Sequence, residues 1–317
     1  MHGICRYLCQ SHMPGMRRKE RGAIPGGGHG HFKRKERKTM ELGMYSIEIE
    51  RPTTKELFEA AAGYGFTKMQ FDFSSVCDEQ MPETIERSLL QEIREAADRT
   101  GIEIVAVNGT FNMIHPDKQV RLDGLKRLET IARSCKTLGC SIITLCTGSR
   151  NVENMWSRHE DNDKPQAMED LMGTMGKALE IARKYDLVLG IECEPSNCID
   201  SAEKAERMFE AFGWDEHLGI ILDAANLFRA GMARKENVRS VITDAFDRLG
   251  NCICLAHGKD ISEGEDIHYT YAGDGIVDFP FFLEKLKEAD YNGCMILHGI
   301  KDEKDMEKAV AFMKGLS

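Results

Sequence analysis

LVLGIECEPSN at 187–197 and LGIILDAANLF at 218–228 are the two stretches that decide the fold. Each is a short apolar strand that ends in acidic residues, Glu192 and Glu194 in the first and Asp223 in the second. Because side chains alternate between the two faces of a strand, Glu192 and Glu194 share one face. Two consecutive strands that present acids at the same end are typical of the active-site face of a (β/α) barrel.

The rest of the sequence repeats this strand and helix pattern about every 30 residues from Met40 onward. Predicted strands cover 42–49, 68–73, 102–108, 141–146, 187–194, 218–222, 252–256 and 294–297. Predicted helices cover 55–63, 83–100, 118–138, 166–185, 202–212, 238–249, 279–289 and 303–314. Eight such units predict an α/β fold, a (β/α)8 TIM barrel in a single domain over residues 40–317. A doubly wound open sheet is the alternative, but no Gly-rich nucleotide-binding loop follows the first strand.

Residues 1–39 differ sharply in composition from this domain. They contain ten Lys or Arg residues against two acidic residues, a net charge of +8. This composition predicts a disordered basic extension, or a start codon placed upstream of the true one at Met40 or Met44. A nucleic-acid-binding arm is an alternative, and a targeting peptide is disfavoured because the segment has no apolar stretch.

Charge and hydropathy limit the partners of the main domain. The whole chain carries −10 and the first 39 residues carry +8, so the remaining residues carry −18. Such an acidic body is a poor match for nucleic acid. No run of 18 apolar residues exists, so no membrane span is expected. The eleven cysteines show no CxxC pair, which favours free thiols and a cytoplasmic location.

Four strand ends supply candidate metal ligands. Glu192, Asp223, His257 and His298 follow predicted strands five to eight, and each lies in register with an inward-facing residue two positions earlier. Strand ends of a barrel meet at one rim, so these side chains are expected to converge. Two carboxylates and two imidazoles suit a divalent ion such as Mn²⁺, Mg²⁺, Co²⁺, Zn²⁺ or Fe²⁺.

From about Met40 to its end, the chain resembles the xylose isomerase-like barrels, the family of the sugar phosphate isomerases and epimerases. The resemblance rests on the order and spacing of several motifs. They are IECEPSN at 191, LDAANLF at 222, HGKD at 257 and GDGIVDF at 273, with GTFNMIHPD at 109 and TLCTGSRNVENMW at 144. It implies a metal-dependent enzyme that isomerises or epimerises a sugar or sugar phosphate.

The resemblance also implies roles for individual residues. By position, Glu192, Asp223 and His257 match the family's glutamate, aspartate and histidine ligands. The fourth ligand is usually a second glutamate, whereas this chain has His298 there. In the epimerases the two glutamates act on opposite faces of the substrate carbon, so either His298 takes the acid/base role or the reaction is not a two-face epimerisation. Asn226 stands where many members have a substrate-binding histidine.

Further residues are candidates for catalysis or substrate binding. The expected chemistry is proton abstraction next to a carbonyl with a metal-stabilised enediolate, Glu192 or Glu194 being the base. Lys259 is assigned a catalytic role beside Glu192 and His298. The candidate substrate-binding residues are Asn112, His115, Trp156, His159, Glu194 and Asn226.

Simpler structural roles remain open for several of these residues. Lys259 and Asp260 can pair with each other, His115 can cap the helix that follows, and Trp156 can pack its loop down. Thr147–Arg150 can bind an anion through backbone amides and Arg150, which leaves a phosphorylated substrate open.

Three functions remain open at the level of sequence. The first is the sugar isomerase or epimerase, acting on a small-molecule substrate and, by analogy, assembled as a homo-oligomer. The second is an endonuclease-like metal phosphodiesterase, which needs more ligands than one site and a basic face for DNA. The third is a barrel that binds a sugar without turning it over, which the histidine at position 298 permits.

Overall fold

The computed structural model describes residues 40–316, and the basic segment 1–39 lies outside the described residues. Eight parallel strands form a closed ring in which each strand pairs with its neighbours and β6 pairs with β7. The strands are β1 Leu42–Tyr45, β2 Lys68–Phe71, β3 Glu103–Asn108, β4 Ile142–Cys146, β5 Val188–Glu192, β6 Leu218–Asp223, β7 Ile253–Ile261 and β9 Met295–Leu297. The predicted (β/α)8 barrel is confirmed.

Helices surround the ring. They are α1 Thr54–Gly63, α2 Arg87–Thr100, α3 Lys118–Leu138, α4 Pro165–Tyr185, α5 Ala202–Ala211, α6 Val238–Leu249, α7 Phe279–Glu288 and α8 Met306–Gly315. Local signals place their ends: α3 starts where the Asp117 side chain accepts a hydrogen bond from the Gln119 amide, and it stops at Gly139 in the left-handed conformation. Predicted and observed helices therefore agree closely, apart from later starts at Arg87 and Met306.

The largest departure from the predicted elements follows β7. The predicted strand stopped at residue 256, but β7 continues to Ile261 and pairs antiparallel with β8, Tyr269–Tyr271. Asp260 stabilises the return of this hairpin, because its carboxylate accepts hydrogen bonds from the amides of Gly273, Gly275 and Val277 at 2.9–3.1 Å. The HGKD and GDGIVDF motifs thus pack on each other.

The barrel interior is filled in the way that the predicted alternation requires. Ile221, Leu255 and Ile296, each two residues before a candidate ligand, pack together in a cluster separate from the outer core. Gly190 faces the same interior, where an added Cβ would lie 2.9 Å from Cγ1 of Ile221. These small and branched side chains close the barrel below the ligands, so the polar residues at the strand ends stand over a packed floor.

Two helical glycines give a matched test of packing. A Cβ on Gly124 in α3 would lie 2.1 Å from the Phe111 ring, whereas one on Gly173 in α4 would meet nothing within 4 Å. We expect Gly124→Ala to lower the free energy of unfolding by about 1–2 kcal/mol, because overpacking outweighs the gain in helix propensity. Gly173→Ala should raise it by about 0.5–1 kcal/mol. Urea denaturation followed by circular dichroism measures both, and equal effects would contradict the packing at Phe111.

Two further sequence expectations concern thiols and membranes. The nine cysteines within the described residues are all free. No helix between residues 40 and 316 is both long and apolar enough to cross a bilayer.

Candidate metal centre

The four predicted ligands meet at the carboxyl end of the barrel. One ligand atom from each of Glu192, Asp223, His257 and His298 lies within 4.8 Å of the others. Barrel register brings them together: Asp223 at the end of β6 stands level with His257 in β7, and His298 follows β9 directly. Residues separated by more than 100 positions in sequence therefore form one cluster.

Short contacts join the members of this cluster in pairs. The Nε2 atom of His298 lies 2.8 Å from Oδ2 of Asp223, and Nδ1 of His257 lies 3.3 Å from Oε1 of Glu192. The two imidazole rings meet edge to face, with their centroids 4.6 Å apart. Burial alone would raise the pKa of Asp223, but the Lys259 ammonium and the contact with His298 hold it below its usual range.

A chain of hydrogen bonds behind His257 sets which of its nitrogens faces the cluster. Oδ1 of Asn108 accepts from the Thr110 amide and the Thr144 hydroxyl, while its Nδ2 donates to Asp72 at 2.6 Å. The Thr144 hydroxyl then accepts from Nε2 of Gln70 at 3.4 Å. That leaves Oε1 of Gln70 as the acceptor toward His257, whose Nε2 lies 2.8 Å away. Nε2 of His257 is therefore the donor in this hydrogen bond. Nδ1 is therefore the nitrogen that faces Glu192, and in a neutral imidazole it carries the lone pair that can bind a metal ion.

This arrangement fits a divalent cation. With His257 neutral, its Nδ1 lone pair and the carboxylate oxygen of Glu192 are both acceptors, 3.3 Å apart in a buried site, and a cation between them would satisfy both. Ligands bound tetrahedrally at about 2.0–2.1 Å are separated by roughly 3.3–3.4 Å. Two ligand atoms on opposite sides of one ion are about 4.4 Å apart at most. The four ligand atoms here lie within 4.8 Å of one another, so the side chains would have to move together only slightly to bind an ion. The four side chains could therefore hold one divalent ion.

Gln70 offers a direct test of this orientation. We expect Gln70→Met to weaken Zn²⁺ binding by about 10- to 100-fold, because His257 loses the acceptor that holds its tautomer. Gln70→Glu keeps an oxygen at the same place and should retain the affinity. Competition with a coloured chelator measures both constants. Equal affinities in the wild type and Gln70→Met would show that the hydrogen bond does not orient His257.

Lys259 lies beside the cluster on the same face of β7 as His257. Its buried ammonium is 3.5 Å from Oδ2 of Asp223 and 3.8 Å from the centre of the Tyr269 ring. Burial disfavours the charged form, but Asp223, Glu192 and Glu194 outweigh it and raise the pKa of Lys259. Lys259 therefore pairs with Asp223 and not with Asp260. Burial raises the pKa of Glu194 to about 7.

A cavity of about 400 Å³ opens above the cluster. It is lined by Tyr45, Ile47, Gln70, Asp72, Ser74, Gln80, Asn108, Thr110, Thr144, Leu145, Cys146, Trp156, Glu192, Glu194, Asn226, His257, Lys259 and His298. Its lining includes hydroxyl, amide and carboxylate groups at or just beyond the ends of β2, β3 and β4, namely Gln70, Asp72, Asn108, Thr110 and Thr144. A cavity of this size holds a small polar molecule.

One buried atom in this cavity lacks a partner. Asn226 donates from Nδ2 to Oε1 of Glu192 at 2.7 Å, but its Oδ1 has no hydrogen-bond partner among the described residues. Because an unpaired buried acceptor costs about 1–3 kcal/mol, such an atom is a natural acceptor for a ligand hydroxyl or a water. Asn226 is thus placed to contact whatever fills the cavity.

Three of the predicted substrate-binding residues are not brought to the cavity. Nδ1 of His115 accepts from the Asp117 amide at 3.1 Å, and Nδ1 of His159 accepts from the Asp161 amide at 3.1 Å. Asn112 donates to the carbonyl of Ser149 at 2.7 Å. Each of these three side chains therefore makes a hydrogen bond to a backbone group in its own or a neighbouring loop, which stabilises that loop. Trp156, 50% exposed, does line the cavity.

Several cavity residues were missed in the sequence. Tyr45, Gln70, Asp72, Asn108 and Thr144 lie at or near the ends of β1 to β4. The signal was present in the alternation of KMQFDF at 68–73. Met69 and Phe71 pack in the core outside the ring of strands, and Gln70 and Asp72, which alternate with them, line the cavity. A polar residue at an inward position near a strand end is the same pattern that identified the metal ligands.

Comparison with known proteins agrees with this fold. The E. coli 3-keto-D-glucoside 4-epimerase is 19% identical, with a TM-score of 0.68 over 87% of this chain and 100% of that one. A D-tagatose 3-epimerase-like protein is 20% identical, with a TM-score of 0.69 over 87% and 97%. A Mycobacterium smegmatis barrel in complex with magnesium is 12% identical, with a TM-score of 0.66 over 88% and 96%. At these identities the likeness is one of fold.

The family assignment comes from sequence. The model of the xylose isomerase-like TIM barrel family matches residues 58–316, which span the barrel from α1 to α8. This range includes all four residues of the metal cluster and both halves of the β7 hairpin. The chain therefore belongs to the xylose isomerase-like TIM barrel family.

Proposed function

We propose that this protein is a metal-dependent isomerase or epimerase that removes and returns a proton next to the carbonyl group of a sugar. The observation that carries the proposal is the convergence of four ligating side chains at the floor of a cavity walled with polar groups. The sugar epimerases among the similar structures support the same class of reaction. A divalent ion held by Glu192, Asp223, His257 and His298 would supply a Lewis acid for the carbonyl oxygen.

The chain's own residues can perform the proton transfers. Glu194 lines the cavity two residues after Glu192, just beyond the end of β5, so it is the candidate base for the substrate C–H. Lys259 brings a buried positive charge to the place where negative charge develops on the substrate oxygen. His298 is the candidate acid, since it also lines the cavity. Asn226 and Trp156 would orient the sugar.

The endonuclease alternative has less support. Two-metal phosphodiester chemistry needs ligands for a second ion, and residues 40–316 contain one cluster of ligand residues with this spacing. The charge of −18 outside the first 39 residues also opposes a DNA partner.

The nine free thiols are compatible with a reducing cytoplasm, where we place the protein.

Metal content and hydrogen exchange together test the proposal. The purified protein is analysed for bound metal, reloaded with Mn²⁺, Co²⁺ or Zn²⁺ after chelation, and incubated in D₂O with a panel of ketoses and aldoses. We expect one ion per chain and deuterium at the carbon next to the carbonyl. Binding without exchange would indicate a sugar-binding barrel, and nicking of abasic DNA would indicate the phosphodiesterase.

A further inference from the structure

We infer that the substrate of this site is an uncharged sugar without a phosphate group, an inference that rests on the proposed function. The sequence left a phosphorylated substrate open through the loop Thr147–Arg150. The charges that line the cavity and the pairing of the cations around it favour the neutral sugar.

Acidic groups outnumber basic ones in and beneath the cavity. Asp72, Glu192 and Glu194 line it, and Asp223 lies at its floor. Among the described lining residues, Lys259 is the one lysine or arginine. A divalent ion and Lys259 together bring three positive charges against four carboxylates when all are ionised, with both imidazoles neutral. The carboxylates therefore balance the positive charge of the ion and of Lys259, and none is left over for a phosphate group.

Among residues 40–316, the rim of the cavity provides no cation for a phosphate that extends toward solvent. The exposed lining residues are Ile47, Ser74 and Trp156, all of them uncharged. Gln80 completes this side with a neutral amide. An aromatic ring and hydroxyl or amide groups are the usual contacts for the apolar faces and hydroxyls of a sugar.

The loop that could have bound an anion is already occupied. The Gly148 amide donates to Oδ1 of Asn197 at 2.6 Å, and the Arg150 amide donates to Oδ1 of Asn162 at 2.7 Å. The Arg150 side chain is buried and lies 2.7 Å from Asp170. Neither these two amides nor the guanidinium is free for a phosphate.

A second group of cations makes ion pairs away from the cavity. Arg158, Lys204 and Arg229 all contact the buried carboxylate of Asp200, at 2.8–3.0 Å. Arg158 and Lys204 share a second acid, Asp163. None of the three lines the cavity. They tie the loop after β4 to the start of α5, which is a structural role.

Binding of matched sugars tests the inference. D-fructose, D-tagatose and D-ribulose are compared with D-fructose 6-phosphate and D-ribulose 5-phosphate by calorimetry, with the metal-free and Mn²⁺-loaded protein. We expect at least one neutral ketose to bind at least about tenfold more tightly than any phosphate ester in both forms. The difference should shrink as salt is added, because salt screens the repulsion.

A variant at the rim extends the test. Gln80→Lys should raise the ratio of phosphate-ester affinity to neutral-ketose affinity by about tenfold at low salt, and added salt should reduce this gain. Gln80→Met is the matched control, because it removes the amide without adding charge. If Gln80→Lys binds the phosphate esters more tightly and Gln80→Met does not, the result supports a wild-type cavity that has no phosphate site of its own.

The outcomes separate this inference from the proposed function. Tighter binding of a phosphate ester by the wild type, with deuterium exchange intact, would overturn the uncharged substrate and leave the isomerase or epimerase standing. Absence of binding and exchange with every sugar would overturn both. Exchange on a neutral ketose with weak binding of its phosphate ester is the expected result.

Discussion

Glu192→Gln is expected to weaken divalent metal binding by at least about a hundredfold. Loss of a residue that only orients a metal ligand lowers metal affinity by about 10- to 100-fold, and loss of an anionic ligand itself should lower it further. The substitution keeps the size of the side chain and an oxygen that can accept from Asn226, 2.7 Å away in the wild type. The fold should therefore persist, while the ion loses one of its two carboxylates. Thermal unfolding with and without Mn²⁺ gives the readout, since an ion at a hundred times its dissociation constant stabilises by about 2.7 kcal/mol.

Glu194→Gln is the control for this prediction. It makes the same chemical change two residues away on the same face, outside the four-residue cluster. We expect it to keep the metal-dependent rise in melting temperature and to lose most of the deuterium exchange. Metal binding in Glu192→Gln equal to that of the wild type would remove the cluster as the ion site.

Lys259→Met is expected to slow deuterium exchange by about 10²- to 10³-fold, the usual effect of removing one group that stabilises a developing oxyanion. Metal affinity should not fall, and it should rise if the ammonium, 3.5 Å from Asp223, repels the ion. The split between these two readouts distinguishes a role in the reaction from a role in holding the site together. Exchange rates by NMR and calorimetric metal titrations provide them.

Lys308→Met is the matched control for this substitution. Lys308 belongs to α8 and lies 5.8 Å from the centre of the ring of Tyr271, a residue of the hairpin that carries Lys259. It lines no part of the cavity and pairs with Asp305 at 2.7 Å. Its replacement should leave both exchange and metal affinity unchanged. If Lys259→Met exchanges as fast as this control, Lys259 is not part of the reaction.

The barrel and the four-residue cluster were predictable because both depend on local periodicity. Alternation along each strand places Gly190 inward, and the same alternation places Glu192 above it. The closed ring then only has to bring strand ends to one rim. The loop residues His115 and His159 were not predictable in this way, because a loop side chain has no periodic register and can bond to its own backbone.

The HGKD motif shows the limit of local reasoning. A pair between Lys259 and Asp260 was a reasonable alternative from their adjacency. In the extended β7 they point to opposite faces, so Lys259 reaches Asp223 while Asp260 binds the amides of the GDG turn. Extension of the strand depends on β8, which pairs with it only after the chain has turned back.

The sequence by itself determined the eight strands of the barrel, the inward face of each of them and the four candidate ligands, because these follow from spacings of two residues. Only the tertiary structure decided the tautomer of His257, the partner of Lys259 and the charge of the cavity. Gln70 and His257 are 187 positions apart, and no local pattern reports a contact across that distance. Closing the ring of strands creates those contacts, and with them the acidic cavity that favours an uncharged sugar.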